Sequence, residues 1–330
     1  MEQKLYDVDT LNEMIDAGKK LSLAGDENAL MKLHKGDWIA GTMPYFVAQD
    51  GGCFNQEQIF AAEIPDYATK VEVKVFDENS IQNIYVEGPE NGFMLMTMPS
   101  MSPTFEKFAM EAPLFPQFAM HPLAGWVSGV ALEDMGKITP KIIDGREKKV
   151  MENGAIVLNV SLPANKIPVI DIVNIFEQDS EGDVIEFLQD SYDATDVFIN
   201  GFKRNFADYL LEIKYDIKCP VIADFYGALM NTSLKQIDEQ EKRVILWCPV
   251  FKGVKYKLSK PVPNYAEKFR SEIPEGVSEN VQFSCNCLLN YLYGELEGKD
   301  TAGIRGPFAL GEIAYQLLNQ TMVHLSIIDI

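Results

Sequence analysis

The residues best suited to chemistry lie close to position 310. Glu312 follows Gly311 and stands among apolar residues, and the polar residues Asn319 and Thr321 precede a segment with strand-like alternation. Polar groups in an apolar setting need hydrogen-bond partners, because burying one without a partner costs about 1–3 kcal/mol. We expect those partners to come either from the chain itself or from a bound ligand. A carboxylate in a cleft would hold a ligand amine or accept hydrogen bonds from backbone amides.

Arg305 is the base that could complement this acid. It lies on a glycine-rich loop, and a guanidinium can bind a carboxylate through two parallel hydrogen bonds. An acid and a base that face one recess would fit a small zwitterion such as an amino acid. In the alternative interpretation both residues are structural. Glu312 then fixes the following strand through Asn319 or Thr321, or pairs with Arg305, which otherwise lies at the surface.

Cys285 is the candidate nucleophile. It lies where a predicted strand runs into a predicted helix, and the amides at a helix N-terminus can lower the pKa of a thiol. A cysteine nucleophile also needs a base, and the histidines lie far away in the sequence, at His34, His121 and His324. Two interpretations stay open, a reactive thiol and a buried unreactive one. The Cys-x-Cys pair at Cys285 lacks the further ligands of a zinc site.

Methionine and phenylalanine are concentrated between residues 93 and 120. Flexible thioethers among aromatic rings can line an apolar pocket or a haem face, with His121 as an axial ligand, and they also form ordinary cores. The sequence contains no phosphate-binding glycine motif and no GxSxG or HExxH motif. We therefore predict no cofactor, and the haem and metal alternatives stay open.

Composition and charge narrow the class of partner. The 330 residues include 49 acidic and 29 basic ones, which gives a formal net charge of −20. Such a charge repels phosphate backbones and anionic lipids, so we expect neither nucleic-acid binding nor membrane insertion. No apolar run approaches the ~20 residues that span a bilayer, and the N-terminus lacks a secretory pattern. The five cysteines form no disulfide framework, so we expect a cytoplasmic protein.

The elements that would position these residues alternate between strands and helices. Apolar and charged residues alternate at 71–75 and predict a half-exposed strand, residues 81–86 predict another, and glycines at 123–129 predict a strand with close backbone neighbours. Ser102 with the proline after it predicts the start of a short helix over residues 102–110. Many strands are joined by hairpins, so we predict an α/β protein of the mixed α+β kind, with largely antiparallel sheets flanked by helices. The pattern changes near residue 196, which predicts two halves, 1–195 and 196–330. We find no clean internal repeat.

From residue 200 onward several short motifs follow one another. They are a glycine before a Tyr-Leu helix, a glycine hairpin, a strand ending in Ser-Cys, a Gly-Glu-Ile step and an Asn-x-Thr step: Asn200-Gly201, Tyr209-Leu210, Phe251-Lys252-Gly253, Phe283-Ser284-Cys285, Gly311-Glu312-Ile313 and Asn319-Gln320-Thr321. Over about 130 residues this order resembles the C-terminal half of the FIST family. Residues 38–42 and 125–129 resemble the partner FIST segment. The arginine usual after Ser-Cys is absent, and Leu310 replaces the usual aromatic residue.

The resemblance implies a bacterial sensory module that binds a small molecule without catalysis and passes a change to a partner. No output domain is recognisable in this chain, so we expect a separate signalling protein to carry the output. The predicted ligand site comprises Cys285, Arg305, Gly311, Glu312, Asn319 and Thr321. Two alternatives stay open: a thiol-dependent hydrolase or transferase built on Cys285, and an adaptor whose acidic face binds a protein partner.

Overall fold

The computed structural model describes residues 4–225, 228–273, 277 and 280–330. Its strands, numbered in chain order, are β1 (Lys4–Tyr6), β2 (Leu21–Gly25), β3 (Trp38–Thr42), β4 (Tyr45–Ala48), β5 (Gly51–Phe54), β6 (Ile59–Glu63), β7 (Lys70–Phe76), β8 (Gly92–Pro99), β9 (Leu123–Ser128), β10 (Ile142–Asp144), β11 (Lys149–Met151), β12 (Ala155–Ser161), β13 (Lys166–Val173), β14 (Ile185–Phe187), β15 (Ser191–Ala194), β16 (Asp196–Ile199), β17 (Phe202–Asn205), β18 (Val221–Phe225), β19 (Ala228–Thr232), β20 (Leu234–Asp238), β21 (Arg243–Val250), β22 (Lys255–Leu258), β23 (Val281–Cys287), β24 (Gly306–Ala309), β25 (Glu312–Ala314), β26 (Gln316–Leu318) and β27 (Met322–Asp329). The helices are α1 (Val8–Asp16), α2 (Glu27–Leu30), α3 (Pro103–Glu111), α4 (Phe206–Glu212), α5 (Tyr265–Glu272) and α6 (Leu288–Tyr293), with 3₁₀ turns at Ile81–Asn83, Ala112–Leu114 and Leu132–Asp134.

Mostly antiparallel sheets with short helices between them make up the fold, as the sequence predicts for the mixed α+β class. Sheet 1 has the order β1-β6-β2-β3-β10-β11, sheet 2 the order β26-β25-β9-β8-β12-β7, sheet 3 the order β13-β27-β23-β24-β4-β5, sheet 4 the order β17-β16-β14-β22-β18-β19, and sheet 5 the order β15-β21-β20.

Several local predictions are confirmed, and two are wrong. The alternating segment at 71–75 lies within β7, and the Ser102 side chain caps α3 by accepting the Phe105 amide. The strand predicted at 81–86 is instead a 3₁₀ turn. Its cause is the Asp77 carboxylate, which accepts the amides of Asn79 and Ser80 and winds the chain into a turn before any strand can start. The glycine hairpin predicted at residues 251–253 is instead a connection from β21 in sheet 5 to β22 in sheet 4.

Sheets 1, 2 and 3 repeat one arrangement, which the sequence did not reveal. In each, a parallel pair of strands is joined through a short helix and has an antiparallel strand on either side. The three units are β2-α2-β3 between β6 and β10, β8-α3-β9 between β12 and β25, and β23-α6-β24 between β27 and β4. The repeat is one of topology, carried by dissimilar residues.

The sheets cross the predicted boundary between residues 195 and 196. β25 pairs with β9 in sheet 2, and β24 pairs with β4 in sheet 3. The largest core cluster likewise combines Phe93 and Trp126 with Phe283 and Phe308. The change of pattern near residue 196 lies inside a segment from Ile185 to Leu258 that encloses a core cluster of its own. Residues 1–195 and 196–330 are therefore interlocked through shared sheets.

Gly125 shows the close backbone approach that its strand predicts. A methyl group added at Gly125 would lie 2.0 Å from the carbonyl oxygen of Met96 on the neighbouring parallel strand. Only glycine fits there without moving the backbone of β8. The approach matters for the C-terminal residues, because the Cys285 thiol donates a hydrogen bond to the Gly125 carbonyl at 3.2 Å.

Candidate functional site

Glu312 is a fully buried acid at the start of β25. Its Oε2 accepts hydrogen bonds from the amide of Thr321 at 3.0 Å and from the hydroxyl of Thr321 at 2.9 Å. Its Oε1 is buried and has no hydrogen-bond partner among the described residues. Burial raises the pKa of Glu312 to about 8, against the lowering effect of Thr321 and the neighbouring Cys287 thiol. The carboxyl group is therefore mostly protonated at neutral pH.

Arg305 does not take part in this arrangement. It is half-buried just before β24, whereas Glu312 follows the other end of that strand. Its carbonyl accepts a short hydrogen bond from the Ser284 hydroxyl, and Arg305 is not among the groups that shift the pKa of Glu312. Of the predicted site residues, the structure joins Glu312 directly to Thr321, as the structural interpretation expects, and it keeps Arg305 apart from them.

The polar segment at residues 319–321 ties the C-terminal strands to the rest of the chain. The Asn319 side chain accepts the Ser233 amide at 3.0 Å, and the Gln320 side chain donates to the carbonyl of Lys218 at 2.9 Å and bonds the Ser233 hydroxyl. Gln320 also has a φ of 50°, in the left-handed region that side chains disfavour. Its contacts must therefore hold a strained backbone in place.

The Cys285 thiol is placed to stay protonated. It is 1% exposed, and burial raises its pKa well above the usual value. His324 cannot act as its base. In the antiparallel register His324 lies opposite Ser284, and neighbouring residues of a strand point to opposite faces. The geometry thus does not favour a thiol-dependent enzyme built on Cys285.

Cys287 and two asparagines complete the polar surroundings of Glu312. Burial raises the pKa of the Cys287 thiol well above its usual value, and the nearby Glu312 adds to the effect. Asn290 on α6 donates to the side chain of Asn286 at 2.9 Å and to the carbonyl of Thr321 at 3.3 Å. Within the described residues, Nδ2 of Asn286 and Oδ1 of Asn290 are buried without a partner. Sequence reasoning singled out the cysteines and missed these asparagines.

We call Glu312 and the polar residues around it, Thr321, Cys287, Asn286 and Asn290, the Glu312 cluster. A polar cleft of about 720 Å³ opens beside it. We call it the cleft; it is lined by Asp216, residues 218–219, residues 261–266 with Arg270, residues 293–295 and residues 298–300. The charged lining residues are Asp216, Lys218, Arg270, Glu295, Lys299 and Asp300, three of each sign. Within the part of the chain that the structure describes, none of the six has an ion-pair partner within 4.0 Å.

The cleft and the Glu312 cluster share a wall. The Lys218 carbonyl receives hydrogen bonds from Gln320 at 2.9 Å and from the hydroxyl of Tyr265 at 3.5 Å. Tyr265 and Tyr293 both line the cleft. Burial raises the pKa of each tyrosine, and the Cys287 thiol adds to the effect. Residues from three distant segments form the cleft, so sequence spacing carried no sign of it.

The first part of the methionine-rich region lies in the protein interior, whereas Met101 and Met120 are exposed. Met94, Met96 and Met98 are buried in a core cluster with Phe105 and Phe108. The same composition could have lined a pocket, and here it packs α3 against sheet 2. Among the described residues, no group of three or more metal-ligating side chains is arranged to hold an ion. No helix within those ranges is long and apolar enough to span a membrane.

Comparison with known proteins gives a family and no activity. No curated protein matches this sequence. One family model, described as a family of unknown function (DUF6976), matches residues 6–328. Because that match extends over nearly the whole chain, the protein belongs to the DUF6976 family.

Proposed function

We propose that this protein is a sensor that binds a small zwitterionic, amino-acid-like metabolite in the cleft. The observation that carries the proposal is the set of charges of both signs around one recess, none of which has an ion-pair partner among the described residues. A free amino acid presents one ammonium and one carboxylate, which acids and bases of the lining can bind together. The volume of about 720 Å³ lies within the range usual for small-molecule sites.

The character of the individual lining residues supports this ligand class. Arg270 offers a planar fork of donors suited to a carboxylate, and Lys218 and Lys299 offer further positive charge. Asp216 and Asp300 can accept an ammonium group. The rings of Tyr265 and Tyr293 supply apolar surface for a side chain. In a chain of net charge −20, three bases around one cleft that form no ion pair within the described ranges favour a ligand with an anionic group.

The site predicted from the sequence takes a different role in this proposal. Glu312, Asn319, Thr321 and Cys285 support the cleft wall from behind, with Gly311 at the turn before them, and the ligand touches the cleft residues instead. The FIST resemblance is consistent with sensing, and a separate signalling protein in the cytoplasm would receive the output. The protonated state of Cys285 leaves the enzyme alternative without a specific supporting observation.

A thermal-shift screen over the free amino acids and small dipeptides tests the proposal. A ligand present at 100 times its Kd adds about 2.7 kcal/mol to the free energy of unfolding, which gives a clear rise in Tm. Calorimetry on the best hit should show about 10–100-fold weaker binding for Arg270→Gln and Lys299→Gln, because a hydrogen bond to a charged group contributes about 1.5–3 kcal/mol.

Lys74→Gln is the matched control, since Lys74 lines a separate cavity on the other side of the sequence boundary. We expect this variant to bind the same hit with unchanged affinity. A screen without any hit at millimolar concentrations would contradict the proposal. So would full affinity in the Arg270→Gln variant.

A further inference from the structure

We propose that the protonation state of Glu312 controls the shape of the cleft, and so its ligand affinity, through residues 319–321. This inference concerns the regulation of the proposed binding site and rests on that function. Its basis is a set of contacts that join one buried acid to two separate parts of the cleft wall.

Within the described ranges, only the hydrogen bonds of Thr321 and the Cys287 thiol offset a negative charge on Glu312. The titratable groups that face it are thiols, Cys248 on β21 and Cys285 and Cys287 on β23, and burial raises the pKa of all three. Among the described residues no basic group acts on the carboxyl. An ionised Glu312 would be a buried charge that Thr321 and Cys287 compensate only in part, which is costly until water or a new partner reaches it.

The first link to the cleft runs through Gln320. Thr321 donates its amide and its hydroxyl to Glu312, so any rearrangement of the carboxyl moves the backbone next to Gln320. The Gln320 side chain holds the carbonyl of Lys218, and the Tyr265 hydroxyl bonds the same carbonyl. The φ of 50° at Gln320 is unfavourable for a residue with a side chain, so the backbone there should relax when those contacts loosen.

The second link runs through α6. Asn290 donates to the carbonyl of Thr321, and α6 ends at Tyr293 and Gly294, which line the cleft. The end of α6 packs closely on Tyr265, since a methyl group added at Gly294 would lie 2.6 Å from Cβ of Tyr265. One wall of the cleft is therefore hydrogen-bonded to Gln320 and the other to Thr321, which itself binds Glu312.

Ionisation of Glu312 should consequently loosen the cleft. The acid-to-carboxylate change places a charge in a dry site that the donors of Thr321 offset only in part, so water enters to hydrate the free oxygen and the surroundings of the carboxyl rearrange. The raised pKa of Glu312, about 8, puts this change just above neutral pH. The protonated protein has the ordered cleft and the higher ligand affinity, and both decline as the pH rises through that value.

Hydrogen exchange of the ligand-free protein tests the coupling directly. Protection factors are compared at pH 6.5 and 9.5, after correction for intrinsic rates, for residues 216–219 and 293–300 and for β7 as a distant reference. In the wild type we expect protection of both cleft segments to fall at least about threefold at the higher pH, with β7 unchanged. Glu312→Gln, which mimics the protonated acid, should keep its protection at both pH values.

Two further variants keep the test decisive. Gln320→Gly removes the side chain while glycine tolerates the backbone conformation, so the response of residues 216–219 should vanish and that of residues 293–300 should remain. Thr321→Val serves if Glu312→Gln does not fold, and it should weaken both responses. Equal pH responses in the wild type and in the Glu312 variant, or in Thr321→Val where it replaces that variant, would overturn the coupling.

The amino-acid screen separates the two proposals. If hydrogen exchange shows the coupling but the cleft binds no amino acid or dipeptide, only the proposed function is contradicted. A cleft that binds one of them with an affinity that does not differ between pH 6.5 and 9.5 contradicts the coupling alone.

Discussion

Glu312 is a carboxylic acid in a place that water does not reach, and its chemistry follows from that. With Thr321 as donor to one oxygen and no partner on the other among the described residues, the neutral form is favoured. A group of this kind is uncommon as a mere structural element, because an amide or an apolar residue of similar size avoids the cost of ionisation. Perturbed acids of this kind are concentrated at functional sites.

Glu312→Gln should change how the free energy of unfolding depends on pH. The folded protein keeps the proton up to about pH 8, whereas the unfolded chain releases it near the ordinary glutamate pKa of 4.5. Stability contributed by this group is therefore lost as the pH rises between those values, by about 5 kcal/mol in total. Glutamine does not titrate, so the variant should lose less stability over the same window.

Urea denaturation at pH 5, 7 and 8.5 measures this difference. As the pH rises, the free energy of unfolding of the wild type should fall relative to that of the variant. This trend is the reverse of acid denaturation, in which stability is lost as the pH falls. Parallel stability curves over the whole range would show that Glu312 has an ordinary pKa in the folded protein.

At the scale of single elements, the sequence was informative wherever a local rule decides the structure. Alternation predicted β7, and a serine cap with a following proline predicted the start of α3. The segment at 81–86 failed because a single side chain, Asp77, overrides the apolar pattern of six residues. Apolar content alone does not distinguish a buried strand from a buried turn.

In the candidate site, too, a local sequence pattern revealed some residues and not others. Glu312 and Thr321 stand out as polar residues in an apolar segment, and the structure does place them together. Arg305 stood out as the nearest base in sequence, but a strand separates it from the acid. The cleft depends on residues 216, 270 and 300 meeting in space, and no pattern within a short window encodes such a meeting.

Gly125→Ala should be strongly destabilising. The added methyl group would overlap the backbone of Met96, and overpacking of this kind costs about 1–3 kcal/mol or more. It would also disturb the acceptor of the Cys285 thiol. Gly182→Ala is a suitable control, because its nearest neighbours at 3.1 Å or beyond belong to the acidic turn at Asp179.

Thermal denaturation followed by circular dichroism would measure both glycine variants. We expect the Tm of Gly125→Ala to fall by several degrees and that of Gly182→Ala to stay near the wild type. Equal Tm values for the two variants would mean that β8 and β9 tolerate a wider separation than the structure has.

At the scale of the whole molecule, shared sheets decide what can fold alone. A fragment of residues 1–195 lacks β25, which pairs with β9, and β24, which pairs with β4. A fragment of residues 196–330 lacks the strands on the other side of those pairings. Each would expose apolar surface from the largest core cluster and leave unpaired sheet edges.

We expect neither half to give a cooperative unfolding transition by itself, although residues 185–258 enclose a smaller core. Circular dichroism melts of the two fragments and of the intact chain would measure this. A sharp transition in either isolated half, comparable with that of the intact protein, would show that the shared sheets are dispensable.

The position of β27 has a consequence for biosynthesis. This strand lies between β13 and β23 in sheet 3, and its partner β13 precedes it by more than 150 residues. A ribosome therefore makes β13 long before the strand that covers its edge exists. Until residues 322–329 emerge, the nascent polypeptide displays an open β-edge to other chains, so we expect slow maturation and a need for chaperones during translation.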